Sequence, residues 1–150
     1  MSLESNNVMS LENIGRSKMN PIEYAFPTDP SSTSYCVFPD VLERDDLVLF
    51  HATPIANLEP ILKNGFIIPD PTGTNGLPSV SFAKQSSMAL GHAMQMRQDR
   101  SGEYCILAVR YHSLERKGLK NNVSDIHDYT LDPPPQIVGY CKVPTAYVHV

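Results

Sequence analysis

Apolar residues in this chain fall in short runs parted by turn-forming segments, and the spacing within each run sets the element it predicts. Leu47-Val48-Leu49-Phe50-His51 is a compact apolar run and predicts a buried strand. A helix is expected next, with Asn57 as N-cap and Leu58, Glu59 and Pro60 in a first turn where proline costs little. Leu58, Ile61 and Leu62 give that helix its apolar stripe, and Gly65 supplies the left-handed residue that ends it. Residues 69–78 read as a loop by composition. Pro78 to Ala83 predicts a strand, and Ser86 or Ser87 caps a helix running to about Gln98. Its apolar residues Met88, Ala89, Ala93, Met94 and Met96 are expected to pack into a core. After a turn at Arg100-Ser101-Gly102, Tyr104 to Tyr111 is the strongest strand pattern in the chain.

A polar stretch with Gly118 and Asn121-Asn122 follows, then Pro133-Pro134-Pro135. Three prolines cannot continue a ladder, so a strand is expected to begin at Gln136 and run to Cys141. A last strand is expected over Thr145 to Val150, parted from it by Lys142-Val143-Pro144. Strands and short helices without regular alternation mean an α+β fold. The domain is placed at residues 44–150. Residues 1–43 are expected to be mobile or irregular: 1–20 are polar and without period, and 21–43 carry Pro21, Pro27, Pro30 and Pro39. Tyr24, Phe26, Tyr35 and Phe38 would pin this segment to the domain surface.

Composition narrows the class. Val, Leu, Ile and Phe make up about a quarter of the chain, enough for a real core. No apolar run approaches the length that crosses a bilayer, and the N-terminus lacks a secretory pattern, so an intracellular protein, cytoplasmic or nuclear, is expected. Three cysteines, Cys36, Cys105 and Cys141, are odd in number and widely spaced, which suits reduced thiols. The net charge of -4 argues against generic nucleic-acid binding. Lys84, Arg97, Arg100, Arg110, Arg116, Lys117 and Lys120 nevertheless outnumber Asp99, Glu103 and Glu115 between residues 84 and 120, which reads either as a phosphate-facing stretch or as a solvated face.

Common catalytic signatures are missing. There is no GxSxG, HExxH, Walker loop or GxGxxG, and the five histidines show no metal spacing, so no metal is expected. A Ser/His/Asp set assembled from His127, Asp128 and a serine has no support from spacing. His51-Ala52-Thr53 closes the first strand just before Asn57, where a small residue and exposed backbone can bond a planar amide.

Taken in order, Leu49-Phe-His-Ala-Thr53, Asn57-Leu-x-x-Ile-Leu-x-x-Gly-Phe66, Val80-Ser-Phe-Ala83 and Ala89-x-x-His-Ala93 resemble the ADP-ribosyltransferase superfamily. The nearest sets are the poly-ADP-ribose polymerase-like enzymes and the DarT-like DNA-modifying toxins. The resemblance covers roughly residues 47–150. It implies a split β-sheet sandwich with short helices, and NAD as the substrate from which a single ADP-ribose passes to a macromolecular acceptor, protein or nucleic acid, with release of nicotinamide.

Carried over by position, it implies NAD contacts from His51, Ala52, Thr53, Asn57, Ser81, Phe82 and His92. His51 would bond the nicotinamide-side ribose, and Ala52 stands where the family has glycine. Ser81 and His92 stand at the positions of motif tyrosines. The family's catalytic glutamate, which opens a strand, falls at Gln136, so Gln136 and His51 are the implied catalytic pair. Two other readings stay open: a non-catalytic module binding NAD, ADP-ribose or a protein on the same fold, and a relative of the RNA 2'-phosphotransferases.

Overall fold

The computed structural model describes residues 20–27, 36–69, 78–99, 102–145 and 147, with the side chains of 97–99 excepted. The irregular stretch at 1–19, most of the 69–78 loop, Pro30, Tyr35, most of the turn at 100–102 and most of the 145–150 strand lie outside these residues. Among the described residues the order is β1 (Ile22–Tyr24), α1 (Asp40–Glu43), β2 (Val48–Pro54), a 3-10 turn (Ile55–Asn57), α2 (Leu58–Asn64), β3 (Val80–Ala83), α3 (Ser86–Asp99), β4 (Tyr104–Arg110), β5 (Leu119–Asn121), β6 (Asp125–Asp128) and β7 (Gln136–Val143). The fold is α+β.

The described strands form one open sheet in the order β1-β7-β4-β2-β3-β6-β5, antiparallel except where β1 joins β7. β2 and β4 share seven registered pairs from Val48↔Arg110 to Pro54↔Tyr104, whereas β2 and β3 share one, Phe50↔Ala83. The sheet is therefore two halves joined at a single point.

Pleating sends alternate β2 residues to opposite faces. Val48, Phe50 and Ala52 enter one core with Ala89, Leu90, Ala93 and Met94 of α3. Leu49 enters another with Phe82, Val109, Tyr111 and Ile126, and Leu58 of α2 packs on Cys105 and Leu107. Burying each such large side chain is worth about 1.5–3 kcal/mol. Cys105 and Cys141 are buried, which pushes both thiols up to about 12, out of the nucleophilic range.

Several expectations shift. The packed body begins upstream of residue 44: Val37, Phe38 and Leu42 are buried in the α3-side core, and Tyr24 meets Phe38 edge-on at 5.6 Å. Ser86 is the first residue of α3, and its hydroxyl accepts from the Val37 N–H and donates to Glu43, tying the helix start to this segment. β7 opens at Gln136 as three prolines require, then runs through Lys142 and Val143, because both register with β4. The polar stretch after Gly118 is a hairpin, β5 and β6, closed around Asn122 and Asp125.

Under the hairpin, Asp128 is fully buried. It bonds Arg116 at 2.7 Å, the Tyr111 hydroxyl at 2.7 Å and the N–H groups of Thr130 and Leu131. Burial first, and then that carboxylate, hold the Tyr111 hydroxyl protonated far above its ordinary range. Arg110 pairs with Asp45. The basic stretch thus spends two of its arginines within the fold.

Candidate cleft between the sheet halves

Past Phe50 no residue of β2 registers with β3. The Ser81 carbonyl, next in line on β3, is met instead by the His51 ring, with Nδ1 at 2.7 Å. A carbonyl only accepts, so Nδ1 carries the proton. Burial pulls the His51 pKa below its ordinary value, opposed by the bond to Ser81 and reinforced by the charge of nearby His92. The ring is therefore held neutral, and Nε2 is left as a lone-pair acceptor with no hydrogen-bond partner among the described residues.

Two aromatic rings pack on this imidazole. Phe66 lies edge-on at 5.1 Å and Phe82 at 5.5 Å. Phe66 follows Gly65, whose φ of 85° turns the chain at the end of α2 and brings the ring back over the sheet.

His51 and Ser81 line two cavities. One, of about 260 Å³, is bounded by Phe50, Ala52, Ala83, Met88, Ala89, His92, Ser124 and Asp125. The other, of about 460 Å³, is bounded by Thr53, Asn57, Pro60, Ile61, Asn64, Gly65, Phe66, Ser79 and Val80 among others. The first faces α3 and the second faces α2, so His51 and Ser81 form a neck where the sheet halves part.

Most implied site residues meet here. His51, Ala52, Thr53, Asn57, Ser81 and His92 all line one or both cavities. Ala52 stands where glycine would allow a positive φ but has none, since Leu131 is the one non-glycine residue of positive φ among those described. Asn57 differs from its expected capping role. A 3-10 turn precedes α2, so Asn57 already has helical backbone and makes no cap bond. Its Nδ2 donates instead to the Thr53 hydroxyl at 2.9 Å, bracing the end of β2.

Two implied residues are elsewhere. Phe82 is fully buried in the Leu49 core, packed on His51 and Phe66, and lines neither cavity. Gln136 is exposed and registers with Arg110, which in turn registers with Val48. It sits two strands from β2, level with Val48 rather than with His51, and it lines neither cavity.

The structure adds residues that sequence patterning missed. Asp125 opens β6 and brings the one carboxylate of the two linings, steadied by Asn122 Nδ2 at 2.9 Å and by His127 Nε2 at 3.3 Å. Met88, expected in the core, is 43% exposed and lines the smaller cavity instead. The only sequence signal for Asp125 was its place ahead of Ile126 after a turn-forming Asn-Asn pair, and the polar alternation Asp-Ile-His-Asp hid the strand.

No helix of the described residues is long and apolar enough to cross a membrane. No protein-family model, curated protein or solved structure matches this chain.

Proposed function

We propose that the chain cleaves NAD at the nicotinamide–ribose bond and transfers a single ADP-ribose to a macromolecular acceptor. The observation that carries this reading is the neutral His51, which lines both cavities and keeps Nε2 as an acceptor. A ribose hydroxyl is the natural donor to such a nitrogen. Residues 51–53 of β2, paired with β4 but not with β3, offer the peptide groups of their β3 side to a planar carboxamide.

Breaking the glycosidic bond needs no strong base. It needs the dinucleotide held bent, and the positive charge growing at the anomeric carbon opposed. Bending suits a ligand that passes from one cavity to the other through the neck. The opposing charge comes from Asp125, which opens β6 and lines the smaller cavity, in place of the acid that the resemblance puts at Gln136. His92 on the α3 wall supplies an imidazole for the nicotinamide ring to pack on.

The test is incubation with NAD while free nicotinamide is measured, with thermal stability followed in parallel. Nicotinamide release that drops by about 10²-fold in Asp125→Asn, the order for one lost electrostatic contact, and holds in Gln136→Ala supports the reading. Stabilisation by NAD with no nicotinamide released makes the chain a binding module. Absence of both removes NAD from the account.

A further inference from the structure

Beside the neck, three side chains form a line, of which the proposed bond cleavage uses only Asp125. The Ser79 hydroxyl lies 3.1 Å from His127 Nδ1, and His127 Nε2 lies 3.3 Å from Asp125 Oδ2. Ser79 precedes β3, while His127 and Asp125 are alternate residues of β6, and β3↔β6 pairing brings them to one face. The negative Asp125 carboxylate beside Nε2 favours the proton on that nitrogen, which leaves Nδ1 to accept from the Ser79 hydroxyl. A serine so placed is poised to lose its proton as it attacks. Tyr129 stacks on the His127 ring and holds its plane.

Ser79 also lines the larger cavity, on the same wall as His51. We propose that Ser79 is an ADP-ribose acceptor within the chain itself, activated by His127 and Asp125; this rests on the NAD reading above. The Oγ lone pair forms a bond to the anomeric carbon as the bond to nicotinamide breaks. The electron pair of that bond leaves with the pyridine nitrogen, so nicotinamide departs neutral. The Ser79 proton passes to Nδ1 of His127, the resulting imidazolium is held against Asp125, and solvent takes the proton afterwards. Because the modified serine lies in the wall of the cleft, the adduct blocks the site and the reaction limits itself to one modification per chain.

The experiment incubates the full chain with NAD, measures nicotinamide, and maps ADP-ribose adducts by mass spectrometry with fragmentation that spares the glycosidic link. The expected result is an adduct on Ser79. Per nicotinamide released, it is absent in Ser79→Ala and reduced about 10²-fold in His127→Phe, the lower range for loss of a general base. The phenyl ring retains the packing on Tyr129, so that variant reads the relay rather than the fold. Nicotinamide release with no adduct on Ser79 overturns the acceptor assignment and leaves NAD cleavage standing. The same is true of an adduct whose yield per nicotinamide is unchanged in His127→Phe. If no nicotinamide appears, both proposals fall together.

Discussion

Ser81 presents a carbonyl that a neighbouring strand would ordinarily meet with a backbone N–H, and His51 meets it with a ring N–H instead. Burial depresses the pKa of that ring, so between its folded value and the ordinary value near 6.5 the unfolded chain binds more protons than the folded one. The stabilisation is full above about pH 6.5 and is lost as pH falls toward the folded value. Chemical denaturation of the wild type from pH 7.5 to 5 should show this decline, and His51→Asn, which keeps a donor for Ser81, should flatten it. An equally steep decline in the variant would assign the effect to other groups. In the cleft, His51→Ala should weaken NAD binding by about 1–3 kcal/mol, the order for a hydrogen bond lost with its partner left unpaired, as titration calorimetry would read. Asp128 poses the opposite case. With Arg116 only 14% exposed beside it, the pair is sealed, and Arg116→Ala should lower stability by about 3–5 kcal/mol because the remaining charge is buried alone. At this scale the sequence spoke unevenly. His51 stood out by its place at a strand end, whereas Asp128 looked like a loop residue, since nothing local announces the distant Arg116 and Tyr111 that satisfy it.

Elements whose own residues carry their signal were readable in advance. β2 and β4 are nearly continuous apolar runs because both faces of the central sheet are covered, and α2 ends at Gly65 as its sequence demands. β5 and β6 were not readable, since a short outer hairpin with a buried ion pair lacks the apolar alternation that marks a strand. β1 is a different case: three residues of parallel edge strand are held by what β7 leaves open. A Cβ at Gly139 would come within 2.6 Å of the Tyr24 ring and 3.1 Å of the Ile22 carbonyl. One of these is backbone and cannot swing aside, so Gly139→Ala should push β1 off the sheet. The expected loss is about 1–3 kcal/mol, the usual range for overpacking, with faster amide exchange at residues 22–24. A variant as stable as the parent, with β1 still protected, would show that the edge can shift to make room.

Across the whole molecule, the site arises from how the sheet is assembled rather than from any one motif. The α3 core anchors the β4 half, the hairpin and its Arg116–Asp128 pair anchor the β3 half, and the cleft opens where a single registered pair joins the two ladders beside the core they share. Periodicity along the chain located β2, β3, β4 and β7 but not which neighbours they take, so the neck and Asp125 came only with the topology. The same assembly decides how much of the chain the fold needs. Val37 and Phe38 enter the α3 core, Phe38 stacks on Phe50 at 5.5 Å, and Glu43 bonds both the Phe38 N–H and the buried Ser86 hydroxyl. A chain starting at Asn20 keeps all of this together with β1, and should melt as one cooperative unit close to the full-length protein. A chain starting at Arg44 loses Val37, Phe38, Leu42 and β1 together, and exposes the α3 side of Phe50 and the unmet hydroxyl of Ser86. Each lost large side chain is worth about 1.5–3 kcal/mol, against a total stability on the order of 5–15 kcal/mol for a domain. The shorter chain should therefore be unfolded or molten at 25 °C, with loss of near-ultraviolet dichroism. Cooperative melting of the Arg44 chain would place these residues outside the folding unit, and failure of the Asn20 chain would place the first nineteen inside it.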